Sequence, residues 1–300
     1  MKHFLLKIIV LISILFSIDR IFGCIMTVFI KQDTGYANSI YIADKATEDI
    51  LVFGSSRATH HYNPLIIEDS LGMSCYNCGQ DGNGIILAYS RLRMIKERST
   101  PKIIIYDVER AFDIYEGYNE RAITELRLFY EKNDIADIIA DIDYKEKYKM
   151  LSHTYRYNSS MLGVLRRIIC KNVSLNGNLK GFLPLTGNIS QSLQKGEVKV
   201  QEDLDIDSLK LKYLNKFIDE CKDSELIMVC SPYWSEIDEN EIKCIKELCE
   251  KRNVPFISFT KNEKYVHNEA YFKDRMHLNA KGSVEFTKDI ISILNAIIKK

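Results

Sequence analysis

Asp49-Ile50-Leu51-Val52-Phe53-Gly54-Ser55-Ser56-Arg57 is the stretch that decides how this chain folds. Four consecutive apolar residues closed by a glycine read as a short strand buried on both faces. Working outward, Pro64 can open a helix that runs toward Ser70. Ser74-Cys-Tyr-Asn77 reads as a second short strand ending at Gly79, and apolar residues at helical spacing follow from Gly84 to Arg98. Pro101 precedes Lys102-Ile-Ile-Ile-Tyr-Asp107, the clearest strand. A helix over about 205–222 leads into the strand Glu225-Leu-Ile-Met-Val-Cys230, a helix over about 238–252 into Pro255-Phe-Ile-Ser-Phe259, and Asn279 to Lys299 forms a closing amphipathic helix. Alternating strands and helices imply βαβ units. The expected fold is α/β, a three-layer flavodoxin-like sandwich with a central, mostly parallel five-stranded sheet, plus an N-terminal membrane helix. In such folds sites gather at the carboxyl ends of strands. That rule points to the segments beginning near Gly54, Asn77, Asp107, Ser231 and Thr260 before any motif is considered.

The region between is less regular. Residues 119–150 are rich in charged, helix-forming residues and read as one or two helices. Residues 152–200 carry many Ser, Asn and Gly and read as a long excursion without strong periodicity. The expected organisation is an N-terminal signal anchor over 1–31, a spacer over 32–48, and one domain over 49–300 with an excursion at about 119–200.

Residues 4–30, FLLKIIVLISILFSIDRIFGCIMTVFI, are apolar apart from Lys7 and the pair Asp19-Arg20. Their length of about 27 residues suffices to cross a bilayer core. Lys2 and Lys7 favour a cytoplasmic N-terminus and an exported remainder. A signal anchor, a cleaved signal peptide and a lipoprotein signal at Ile21-Phe22-Gly23-Cys24 all read onto this stretch, and all three export the rest of the chain. An intramembrane Asp-Arg pair is costly, so the two residues either pair or face protein or water, or lie near the outer interface with an amphipathic segment after them.

Lys plus Arg and Asp plus Glu both number 41 in the 300 residues, a balance that speaks against a nucleic-acid partner. The eight cysteines show no framework spacing, and Cys75-Tyr-Asn-Cys78 is a lone CxxC. With no second pair or nearby histidine it reads as buried or incidental thiols rather than a zinc or redox site. No metal and no organic cofactor is expected.

Two short motifs carry chemistry. In Gly54-Ser-Ser-Arg-Ala-Thr-His-His-Tyr62 a serine follows directly on a buried strand, where a tight strand-to-helix turn presents its hydroxyl and aims backbone N–H groups at the same point. The alternative is a helix-capping serine. Asp274-Arg-Met-His-Leu-Asn279 places a histidine three residues after an aspartate, which can orient the imidazole to take a proton from a serine. Alone, that spacing also fits a surface Asp-His pair.

Together, the G-x-S after the first strand, the D-x-x-H before the last helix and the α/β pattern between them resemble the SGNH (GDSL-like) hydrolase superfamily. The likeness extends over about residues 49–298, though only short blocks carry it. It implies Ser56 as nucleophile, with Asp274 and His277 completing the triad in the family's chain order. It implies an oxyanion hole from the Ser56 and Gly79 N–H groups, Gly79 ending Asn77-Cys-Gly79. The family's Gly-x-Asn-Asp block is replaced by Tyr106-Asp-Val-Glu109, so either Asn83 supplies the side-chain amide or the hole is incomplete. Ser55 in place of the family's Asp, the anchor and the long excursion resemble exported members such as the D-alanine transfer protein of teichoic-acid modification and the alginate O-acetylation proteins. That likeness implies a carbohydrate or acyl-ester substrate in the cell envelope, and a membrane acyltransferase as partner. Arg57, His60 and His61, close behind the nucleophile, are candidates to hold a substrate carboxylate, sugar or acyl oxygen. Trp234, after the fourth strand, is a candidate to stack on a sugar ring. Asp113 and Glu109 are candidates to support the site from behind. The competing reading is a non-catalytic, membrane-anchored protein that uses the same cleft to bind a glycan or an acyl-carrying partner.

Overall fold

The computed structural model describes residues 1–169, 179–189, 205–235, 237 and 239–298. Five strands, β1 (Ile50–Gly54), β2 (Cys75–Asn77), β3 (Ile103–Asp107), β4 (Glu225–Cys230) and β5 (Phe256–Ser258), form one sheet in the order β2-β1-β3-β4-β5. Every pairing is parallel, from Ile50 opposite Cys75 and Ile103 to Cys230 opposite Ser258. The expected α/β sandwich is therefore present.

Because successive strand residues point to opposite faces, the two halves of each apolar run serve two separate cores. Leu51, Phe53, Ile104, Tyr106, Leu226 and Met228 face one core. On that side lie α2 (Ala37–Asp44), α5 (Ile85–Lys96), α7 (Glu120–Leu126), α8 (Ile135–Ile142), α11 (Ser208–Glu220) and α12 (Lys243–Arg252). Ile50, Val52, Ile103, Ile105, Ile227 and Val229 face the other core. There lie α3 (Ser56–His61), α4 (Pro64–Leu71) and α13 (Ala280–Ile298). A strand apolar at every position is what a sheet covered on both faces requires.

Residues 34–44, within the stretch expected to be a spacer, form a 3₁₀ turn and then α2, whose Ile42 and Ala43 are buried in the first core. The reading of 152–200 as irregular is corrected at its start. His153–Ile169 is a 17-residue helix, α10, after the short helices α6 (Arg110–Asp113) and α9 (Glu146–Lys149). Its buried side chains meet the long apolar N-terminal helix and not the sheet. The rest of that excursion, 170–178 and 190–204, lies outside the described residues.

Helix α1 (Lys2–Gln32) is long and apolar enough to cross a membrane. Residues 2–18 are exposed, and from Asp19 onward it packs side by side with α10. Met26 and Ile30 are buried there against Tyr157 and Val164. The Asp19 carboxylate accepts from Ser152 Oγ (2.7 Å) and from the His153 and Thr154 amides (2.8 and 2.9 Å), capping α10. At the far end Arg167 grips Asp33 with two bonds of 2.7 and 2.6 Å. Seven of the eight cysteines are described and are free thiols, while Cys170 lies outside the described residues. Burial raises the Cys75 and Cys78 thiols far above their usual range, which fits inert core residues.

Candidate active site

Strand β1 ends on Gly54 with φ +140°, and a Cβ there would lie 2.5 Å from the Asp107 carbonyl oxygen. Only glycine lets β1 turn this sharply beside β3. The turn starts α3 on Ser56 itself. Ser56 Oγ lies 2.7 Å from His277 Nε2, and His277 Nδ1 lies 3.0 Å from both Asp274 carboxylate oxygens. With Nδ1–H donating to Asp274, Nε2 is left to accept the serine proton. Asp274 Oδ1 also accepts the Met276 and His277 amides at 2.8 and 2.9 Å. Burial works to raise the Asp274 carboxyl, but the His277 ring and these two amides outweigh it and hold it below the usual carboxylate range. The fold thus brings together Ser56, Asp274 and His277, residues 221 positions apart at the extremes of the serine–histidine contact.

The expected oxyanion donors are arranged differently. Gly79 comes close to α3, where a Cβ would sit 2.7 Å from the Thr59 amide nitrogen. Its N–H, however, donates to Asn77 Oδ1 at 3.0 Å, while Asn77 Nδ2 donates to the Ala58 and Tyr62 carbonyls. Asn83 faces a small cavity lined also by Phe112, Tyr118, Asn119 and Lys210, and it makes no hydrogen bond with Ser56, Gly79 or His277 among the described residues.

Three candidate substrate-binding residues are corrected. Arg57 is 1% exposed, enclosed by the fold. It pairs with Glu109 (2.9 Å) and Asp107 (3.6 Å), donates to the carbonyls of Ser231 (2.9 Å) and Val108, and lies over the Tyr233 ring. Burial opposes its charge, but Tyr233, Glu109 and Asp107 together keep the guanidinium firmly protonated. Glu109 also accepts the Tyr233 hydroxyl at 2.9 Å. The altered third block is therefore the counter-charge of Arg57. Burial pushes the Asp107 carboxyl up, against the pull of Arg57. Asp113 is also inside, accepting from Tyr106 Oη and the amides of Glu109 and Ile85.

His61 is fully buried. Its Nε2 accepts the Leu278 amide at 2.9 Å, so Nδ1 carries the proton and donates to Ser231 Oγ at 3.0 Å. Burial, and then the nearby His277 and Arg57, hold its pKa well below the usual histidine value. Trp234 packs edge-on to His267 and Phe272, and its backbone binds Arg275 and His267, so it braces the loop before His277 instead of offering a flat face to a sugar.

His60 remains beside His277, with ring centroids 5.6 Å apart. Its Nδ1 donates to the Leu183 carbonyl (2.6 Å) and its Nε2 lies 3.2 Å from Asp81 Oδ2. Burial opposes its charge, but Asp81 and Leu183 prevail and raise its pKa. Asp81, Leu183 and Ser231 went unmarked in the sequence as individual residues. Only the strand-end rule reached Ser231. No group of histidine, cysteine and acidic side chains suited to a metal occurs among the described residues.

No protein-family model matches the chain, and no curated protein matches it. Solved structures do. A Bacteroides fragilis protein assigned as an acylhydrolase is 12% identical over 88% of this chain and 94% of its own, with a TM-score of 0.41. A Streptococcus pneumonia protein assigned as a platelet activating factor is 14% identical over 89% and 96%, with a TM-score of 0.39. A gut microbial diltiazem-metabolizing enzyme is 10% identical over 81% of this chain and 46% of its own, with a TM-score of 0.38. At these TM-scores none of the likenesses bears on function, which has to be argued from the site itself.

Proposed function

We propose that this protein is a membrane-anchored serine esterase or O-acyltransferase of the SGNH type, acting on an acylated cell-envelope glycan. The observation that carries the reading is the 2.7 Å approach of Ser56 Oγ to His277 Nε2, with Asp274 bound to the opposite ring nitrogen. Ser56 Oγ attacks the ester carbonyl carbon as its proton passes to His277 Nε2, and Asp274 stabilises the imidazolium. The Ser56 N–H, in the first turn of α3, meets the developing oxyanion. The Gly79 N–H joins it by exchanging its Asn77 acceptor for the oxyanion. His277 then returns the proton to the leaving oxygen, which leaves an acyl-Ser56. Water as second acceptor completes hydrolysis, and a sugar hydroxyl completes transfer. The glycan follows from the resemblance to exported acylation proteins together with the apolar N-terminal helix.

The test is covalent labelling of the full chain with a fluorophosphonate probe. Wild type should label, and Ser56→Ala and His277→Ala should not. A folded wild type that fails to label overturns the reading. The engaged Gly79 amide and the displaced Asn83 favour one competing reading, a non-catalytic protein that holds a glycan or acyl-carrying partner in this cleft. That alternative predicts that Ser56→Ala leaves envelope glycan acylation intact while deletion abolishes it.

A further inference from the structure

The segment from Tyr144 to Leu151 exposes three large side chains, Tyr144 (66%), Tyr148 (68%) and Leu151 (63%). Their spacing of four and then three residues, through the helical turns around α9, puts them on one face. Lys145, Lys147 and Lys149 are exposed between them, and the only acid in the stretch, Glu146, is buried and bound to Lys149 and Tyr155. This face abuts the point where α1 leaves the domain. Arg20 donates to the Leu151 carbonyl and lies over the Phe16 ring, and Asp19 caps α10 from the next residues. From Lys2 to Asp19 the helix rises about 26 Å, close to the ~30 Å hydrocarbon core of a bilayer. Side chains held at the level of Asp19 and Arg20 therefore stand at the headgroup boundary. Tyrosines favour that depth, and lysines there meet anionic lipid.

We infer that the Tyr144–Leu151 face is a membrane-apposition surface that seats the domain on the headgroups of an anionic bilayer. The inference rests on α1 being the membrane span. It adds that the domain lies on the membrane in a fixed pose instead of swinging from a tether. Because α1 and α10 are locked from Asp19 to Arg167, the pose is passed on to the rest of the fold.

The experiment uses the full chain in vesicles of equal parts phosphatidylcholine and phosphatidylglycerol. The single tryptophan, Trp234, is replaced (Trp234→Phe), and Tyr148→Trp or Leu162→Trp is added. Leu162 is 74% exposed but lies further along α10. Lipids brominated near the headgroup should quench most emission from position 148 and shift it to shorter wavelength, and should leave position 162 unchanged. Equal quenching at both positions, or none at 148 in a chain that resists alkaline extraction, overturns the apposition and spares the anchor. Protection of position 148 from acrylamide without quenching by brominated lipid shows a protein covering the face and also overturns it. A chain released by alkaline extraction overturns the anchor and the apposition together.

Discussion

His61 Nε2 accepts the backbone amide of Leu278, the residue that follows His277. A histidine on the helix of Ser56, the proposed nucleophile, thereby fixes the backbone of the loop that carries the proposed base. The bond needs a neutral ring, since a proton on Nε2 would face the Leu278 N–H.

Stability should therefore fall in mild acid. The folded-state pKa of His61 is depressed below the usual 6.5, so its contribution is full above that value and is lost as pH falls below it, where the unfolded chain takes up a proton that the folded chain refuses. The slope should approach ~1.4 kcal/mol per pH unit for this one group. Denaturation midpoints of wild type and His61→Gln between neutral and mildly acid pH provide the check, and the variant should show the shallower dependence.

Asp274→Asn should keep the fold and lose the chemistry. The amide oxygen can still accept from Met276 and His277, but the NH₂ group then faces His277 Nδ1 and selects the wrong ring tautomer. Labelling by the fluorophosphonate should slow by up to about 10⁴, with little change in thermal midpoint, because the Asp274 side chain is 39% exposed.

Arg57→Met should destabilise by roughly 3–5 kcal/mol, since it leaves two buried carboxylates without their counter-charge. Adding Glu109→Gln should recover part of that loss. Chemical denaturation in detergent of both single variants and the double gives the comparison, and a double-variant loss equal to the sum of the two single losses would mean that the pair is not coupled.

Gly79→Ala should separate the β2 loop from α3, because the new methyl would press on the Thr59 amide nitrogen and Ala58 Cβ. If the Gly79 N–H serves the oxyanion, the labelling rate should drop about 10²–10³-fold.

Much of the frame was legible in the sequence. Ile50–Phe53, Lys102–Asp107 and Glu225–Cys230 are apolar runs that only a doubly covered sheet explains, and the strands lie within one or two residues of the expected positions. The pairing of the two distant motifs could be anticipated only because strand ends converge. Side-chain direction was not legible. Arg57 and His61 sit within six residues of Ser56, and nothing in that string says that α3 is buried along nearly its whole length. Arg57 turns inward because Asp107 and Glu109, about 50 residues on, await it. Helix α10 was missed for a related reason: its buried stripe matches α1, not the sheet, so its polar sequence gave no sign of a core-facing helix.

The interlock of α1 with α10 also bears on where the folding unit begins. Hydropathy would draw the boundary near residue 32, but packing draws it near residue 19. A shortened chain begun at residue 33 would lose the cap on α10, worth about 0.5–2 kcal/mol, and would bare Tyr157 and Val164 to water. One begun just before Asp19 would keep both. Solubility and integrity thus pull in opposite directions over the same fourteen residues, and a soluble version should be sought by replacing the outward side chains Ile21, Ile25 and Val28 with polar ones, not by cutting them away.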